Sequence, residues 1–173
     1  DQATDAASEI GACNVIRRLK DGRLIGTMLD GEAFMAGLQA AGYSVAGKRV
    51  LLAGAGGAAA AIAFAIVRRH PAALVIHNRT AERAEALLAR LRQRWPEQRL
   101  ERTSRPDGSF DIVINATSLG MRAGDPLPVC AAALRPGVLA AEVVVAPAVT
   151  PFLEAAKAIG CAIHGGGAML KAQ

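Results

Sequence analysis

The segment Gly54-Ala55-Gly56-Gly57-Ala58-Ala59 constrains this chain more than any other. It follows an apolar run, residues 49–53 (RVLLA), and opens a long Ala/Ile stretch that continues to Val67. The spacing is G-x-G-x-x-[GA], read as strand, tight turn, helix. Each position has a physical reason. The first glycine permits the turn, the second lets backbone approach a pyrophosphate, and a small third residue lets the helix pack on the strand. The amides of the first helical turn then face the phosphate charge. A plain strand-to-helix turn also uses glycines, so the context has to decide.

The rest of the chain supplies that context. Residues 74–77 (LVIH), 111–115 (DIVIN) and 139–145 (LAAEVVV) are further apolar runs of strand length. Between them lie helical patterns. Residues 30–41 place Phe34, Leu38 and Ala41 at helical spacing, with Asp30 as N-cap and Gly42 as stop. Thr80 caps a helix in which Ala84, Leu87, Leu88 and Leu91 recur at i, i+3, i+4 and i+7. Thr150 followed by Pro151 starts another that Gly160 ends. Residues 161–164 are a last short strand, and Gly165 to Gly167 open a final helix. Continuous apolar strands alternating with helices predict a parallel sheet covered on both faces, a doubly wound, Rossmann-type, three-layer αβα fold.

Composition narrows the function. With 52% hydrophobic and 20% charged residues the chain can bury a sizeable core, and 3% aromatics leave little surface for stacking bases. The Ala-rich run near residue 60 is too short to span a bilayer and soon meets Arg68, Arg69 and His70. The opening residues are polar and acidic, unlike a secretory or transit signal, and three scattered cysteines suit a reducing cytoplasm. Cys13, Cys130 and Cys161 fit neither a zinc spacing nor a disulfide framework, so no metal is expected. The net charge of +5 comes largely from residues 79–105, where arginines alternate with Glu82, Glu85, Glu97 and Glu101. Such mixing describes a solvated face rather than a nucleic-acid or membrane surface.

Arg79 stands apart. Asn78-Arg79-Thr80 closes the second apolar run, where an NAD-preferring site carries an acid for the ribose hydroxyls. A guanidinium there, with Arg83 one turn on, suits the extra 2'-phosphate of NADP, although an exposed arginine beside a helix cap looks the same in sequence. Asn115-Ala-Thr117-Ser118-Leu-Gly120-Met121 closes a later strand, where small hydroxyl and glycine residues suit contact with a cofactor or simply a turn.

The succession Gly11-Ala12-Cys13-Asn14, Asp21 to Gly26, Asp30-Gly31, GAGGAA, NRTAER, INATSLGM, Thr150-Pro151 and GGGAMLKAQ resembles the shikimate dehydrogenase family, in order and along essentially the whole chain. The resemblance implies NADP as cofactor, held by Gly54, Ala55, Gly56, Gly57, Ala58, Asn78, Arg79, Thr80, Arg83, Thr117 and Ser118. It places Val143, Gly166 and Met169 near the nicotinamide. It implies Asp30 as the catalytic aspartate and Asn14 and Gln173 as contacts to a small anionic substrate. Taken singly, Asp30 reads as a helix cap, Asn14 as a turn residue and Gln173 as a surface residue.

The implied reaction is hydride transfer between nicotinamide and a cyclic secondary alcohol or its ketone, with shikimate and 3-dehydroshikimate as the leading pair. A homodimer is allowed for. Residues 1–29 read as a remnant of a substrate-binding domain, 30–164 as the NADP-binding domain, and 165–173 as the start of a helix returning to the former. The family's amino-terminal part supplies serines for the substrate carboxylate and a lysine that shares the proton. None of Lys20, Lys48, Lys157 or Lys171 lies in a matching motif, so the chain as given is expected to be inactive alone. Two departures stand out. Met28-Leu29 replace the family's Asn-Thr, and Val145 stands where tyrosine is common. They keep quinate or another shikimate-like substrate in play, with a non-catalytic NADP-binding module as the other rival.

Overall fold

A computed structural model describes residues 2–172, so the substrate contact expected at Gln173 lies outside the described residues. In chain order the elements are β1 (Gln2–Ala3), α1 (Asp5–Ile10), β2 (Val15–Arg18), β3 (Leu24–Thr27), α2 (Asp30–Ala40), β4 (Arg49–Ala53), α3 (Gly57–Val67), β5 (Ala73–His77) and α4 (Ala81–Arg94). There follow β6 (Leu100–Thr103), β7 (Ile112–Asn115), β8 (Leu139–Glu142), α5 (Pro151–Ile159), β9 (Ala162–His164) and α6 (Gly167–Lys171).

Strands β4 to β9 form one six-stranded parallel sheet in the order β6-β5-β4-β7-β8-β9. The first three strands make a separate sheet, β1-β3-β2, at the start of the chain. The large sheet has a core on each face because its side chains alternate. Val50 and Leu52 of β4 join the core under α2, α3 and α4, whereas Leu51 and Ala53 join the one under α5. Helix α3 is apolar all round, as a helix buried on all sides must be, and residues 59–67 are all buried. Helix α4 instead buries one stripe, Ala84, Leu87, Leu88 and Leu91. The doubly wound reading of the sequence therefore holds.

Three details differ from it. Strand β6 (LERT) was not foreseen, being a polar edge strand with one partner. The run 139–145 is strand only to Glu142, since the chain then leaves the sheet. The cap of α2 is Leu29, so Asp30 is the first helical residue and not the cap. The Thr150 cap is as expected, with its hydroxyl accepting from the Leu153 amide at 3.3 Å.

Candidate functional site

The sheet changes direction between β4 and β7. From β4 the chain winds outward through β5 to β6, then returns to the other side of β4 as β7. Loops at the carboxyl ends of such neighbouring strands diverge and leave a crevice. Gly54 stands at its floor with φ +120°, and a Cβ there would lie 2.8 Å from the carbonyl oxygen of Ala116, so no other residue fits without movement. The next two glycines are open instead. Nothing lies within 4 Å of a Cβ built on Gly56, and only the Ala12 methyl, at 3.5 Å, approaches one on Gly57. The backbone at the start of α3 is thus bare toward the crevice, and its first amides lack intrahelical acceptors.

Beside this turn is a cleft of about 480 Å³ whose walls include Asn78, Arg79, Thr80 and Arg83 on one side and Thr117, Ser118, Leu127 and Pro128 on the other. Asn78 donates from Nδ2 to the Thr80 carbonyl at 2.8 Å and shapes the turn that carries Arg79. Thr117 is held from Asn115, whose Oδ1 accepts from its amide at 3.0 Å and its hydroxyl at 2.6 Å. His77 also lines the cleft, half-buried, with Nδ1 3.1 Å from the Thr103 carbonyl oxygen. Its place at the last position of β5 puts it on the rim.

The arginines sort by their partners. Arg92 and Arg102 pair with Glu85, Arg94 with Glu9, and Arg99 with Glu101. Arg79 and Arg83 are exposed and pair with no acid among the described residues. Two unneutralised guanidinium groups on the wall of one cleft favour an anion there.

Asn14 and Asp30 meet close to the same turn, because Ala12, which touches the Cβ position of Gly57, lies two residues before Asn14. Asn14 Nδ2 donates to Asp30 Oδ1 at 2.5 Å, and its Oδ1 accepts from the Leu29 amide at 2.9 Å. Its own amide donates to the Thr27 carbonyl at 3.0 Å. Gly31, next to Asp30, lets α2 lie on the α3 backbone, since a Cβ there would fall 2.2 Å from the Ala61 carbonyl oxygen.

Val143, Gly166 and Met169 also come together, away from the arginine cleft. A Cβ on Gly166 would lie 2.4 Å from the Val143 carbonyl, and the Gly166 amide donates to the Val144 carbonyl at 3.2 Å. Met169 is buried in the α2–α3 core, with Val143 packed against that core. Val145 is 41% exposed and Met28 is buried.

Two groups escaped the sequence reading. Glu142, at the end of β8, is fully buried and accepts from the Thr150 hydroxyl at 2.8 Å. Burial pushes its carboxyl above the ordinary range, partly offset by the bonds from Thr150 and Asn115. The only sequence signal was a lone acid inside an apolar run. His164 ends β9 between the edges of the Phe34 and Tyr43 rings, and burial lowers its basicity. Among the described residues no helix is long and apolar enough to cross a membrane.

Comparison with known proteins agrees with this arrangement. Residues 37–121 match the model of the shikimate / quinate 5-dehydrogenase family. A shikimate dehydrogenase (NADP(+)) of Rubrobacter xylanophilus is 41% identical over 98% of this chain and 61% of its own length. The crystal structure of a shikimate dehydrogenase in complex with NADP+ superposes with a TM-score of 0.89 at 31% identity, covering 99% of this chain and 61% of that one. A 5-ketofructose reductase of Gluconobacter sp. strain CHM43 superposes with a TM-score of 0.85 at 36% identity, over 99% of this chain and 63% of that one. The chain therefore spans about three fifths of the length of these relatives. In the order of its strands, in the glycine turn at the switch point and in the sequence it shares with these proteins, the chain belongs to the shikimate dehydrogenase family.

Proposed function

We propose that this chain carries the NADP(H) site and part of the substrate site of a dehydrogenase that interconverts a cyclic secondary alcohol and its ketone, with shikimate and 3-dehydroshikimate as the leading pair. The observation that carries the reading is the cleft beside the glycine turn, where Arg79 and Arg83 have no acidic partner among the described residues. These two hold the 2'-phosphate, and the bare backbone of Gly56, Gly57 and Ala58 takes the pyrophosphate. Thr117 and Ser118 close the opposite wall. Val143, Gly166 and Met169 form the seat for the nicotinamide. When bound, the cofactor supplies or accepts hydride at C4 of its ring. Asn14 orients Asp30 at the mouth of the site, where the carboxylate moves the proton of the substrate hydroxyl and the scaffold sets the approach. Residues 1–29, with their own small sheet, act as part of the substrate-binding domain, and residues 165–173 lead back to it.

A second reading concerns the substrate. Leu29 and Val145 replace two hydroxyls that the family resemblance gives to the shikimate site, and a 5-ketofructose reductase is among the similar structures. A shikimate relative or another polyhydroxy ketone then replaces shikimate at the same site. Fluorescence titration tests the cofactor assignment, with NADPH expected to bind more tightly than NADH. Replacing Arg79 with alanine should cost NADPH about 1.5–3 kcal/mol and leave NADH nearly unchanged. Equal losses for both would remove Arg79 from the phosphate. Turnover by the full-length enzyme, with shikimate and with 5-ketofructose, separates the two substrate readings.

A further inference from the structure

The most deeply buried acid among the described residues has no task in the proposed function. Glu142 is 0% exposed, and so are Asn115 and Thr150 beside it. Its Oε2 accepts from Thr150 Oγ1 at 2.8 Å and, at the long limit, from Asn115 Nδ2 at 3.5 Å, while Oε1 meets no donor. No cation pairs with it among the described residues. A carboxyl placed so is expensive, and an apolar side chain would fill the space at less cost. Something other than packing accounts for it.

What it grips is informative. Asn115 is the root of the loop 116–120. Its Nδ2 donates to the Leu119 carbonyl at 3.0 Å, its Oδ1 takes both bonds from Thr117, and Thr117 Oγ1 accepts from the Leu119 amide at 3.0 Å. That loop is the cleft wall opposite Arg79. Thr150 ends the segment 143–149, which begins against Gly166, and its methyl lies 3.2 Å from the Cβ position of Gly120. One carboxyl therefore ties two loops, one on the cleft and one at Val143 and Gly166. Sheet register puts it there, because Asn115 and Glu142 are paired last residues of adjacent parallel strands.

We infer that Glu142 is a positioning residue whose carboxyl pins Asn115 and Thr150, and so sets the spacing between the two loops that a bound dinucleotide spans. The inference rests on the reading that this crevice takes NADP(H). Its bonds are those of an acceptor, so a neutral side chain of the same length does the same work. A shorter acid, its carboxyl one methylene further back, is expected to lose the 3.5 Å contact to Asn115.

The test is NADPH affinity of the full chain and its Glu142→Ala, Glu142→Gln and Glu142→Asp variants, titrated by fluorescence well below the melting temperature, with folding checked by circular dichroism. The pin predicts a Kd raised about tenfold in the alanine variant, severalfold in the aspartate variant, and within about twofold of the parent in the glutamine variant. Should the alanine variant not fold, the glutamine and aspartate variants decide. Glutamine retaining affinity while aspartate loses it supports the pin, and equal affinity in both overturns it. A folded alanine variant that binds as the parent does, with only its melting temperature lowered, reduces Glu142 to a stabilising residue and overturns the inference. Glutamine as damaging as alanine overturns it too. A parent chain that does not bind NADPH is a different failure, since it removes the cofactor reading itself and the pin with it.

Discussion

Asn14 holds Asp30 from outside its helix, giving Nδ2 to the carboxylate at 2.5 Å while taking the amide of Leu29 on Oδ1. One side chain thus orients the acid and satisfies a backbone donor just ahead of α2. Asn14→Ala should cost stability only about 0.5–1.5 kcal/mol, the net worth of the lost bonds. Its effect on catalysis in the full-length enzyme should be larger, because a carboxylate that has lost its Asn14 bond is less often in place to move the proton. Steady-state kinetics beside an NADPH titration checks this. A fall in kcat/KM with unchanged NADPH affinity is expected, and parallel losses would mean that Asn14 serves the fold alone.

A methyl group added to Gly166 should be felt at the site. It would sit 2.4 Å from the Val143 carbonyl, in backbone that cannot swing aside as a flexible side chain would. Gly166→Ala should destabilise the chain by about 1–3 kcal/mol and weaken NADPH binding. Gly124→Ala is a fair comparison, having positive φ but nothing within 4 Å of the added atom, and it should cost stability from the backbone alone without touching affinity. Thermal melts and titrations on both variants separate strain from site damage.

Two buried groups oppose each other in the pH dependence of stability. Glu142 is raised above its ordinary value of 4.5 in the folded chain, so the fold prefers its neutral form, and its contribution is lost as pH rises from there. His164 is lowered below 6.5, so the fold prefers the neutral ring, and its contribution is lost as pH falls below that value. Replacing Glu142 with glutamine should therefore raise the melting temperature relative to the parent by an amount that grows over the range above pH 4.5. A constant offset across that range would show that the carboxyl does not titrate within it.

The substrate reading can be pressed through Leu29 and Val145. Changing them to threonine and tyrosine in the full-length enzyme should raise kcat/KM for shikimate, each new hydrogen bond adding about 0.5–1.5 kcal/mol. Efficient shikimate oxidation by the parent, unimproved by the double change, would make these departures irrelevant to substrate choice.

How much of this was legible depended on how local the cause was. The run at residues 49–53, the glycine turn and helix α3 declared themselves because strand periodicity, turn chemistry and an apolar helix are all written within twenty residues. Arg79 was legible as a candidate because it stands just past β5, where an NAD-preferring site carries an acid. Its lack of an acidic partner was not, since that depends on where Glu85 and Glu101 point after folding. Strand β6 was missed because its polar residues suit an edge and carry no apolar run. Glu142 was missed for a related reason. Its partners lie at Asn115 and Thr150, and only the register of β7 against β8 and the return of α5 bring them to it. Asp30 was read as a cap from its neighbours, whereas Asn14, on a distant loop, draws its carboxylate away.

The absence of a side chain at Gly31 has a mechanical meaning. With α2 resting on the backbone of α3 at Ala61, the helix that begins at Asp30 and the helix that begins at the glycine turn are keyed together at that point with no side chain of Gly31 between them. The ends of α2 and α3 that the proposed function gives to the proton and to the phosphate are then expected to move as one body. Asn14, bonded to Asp30, and α1, tied through Glu9 to Arg68 and Arg94, belong to the same body, so on the proposed function the substrate is carried to a geometry already set.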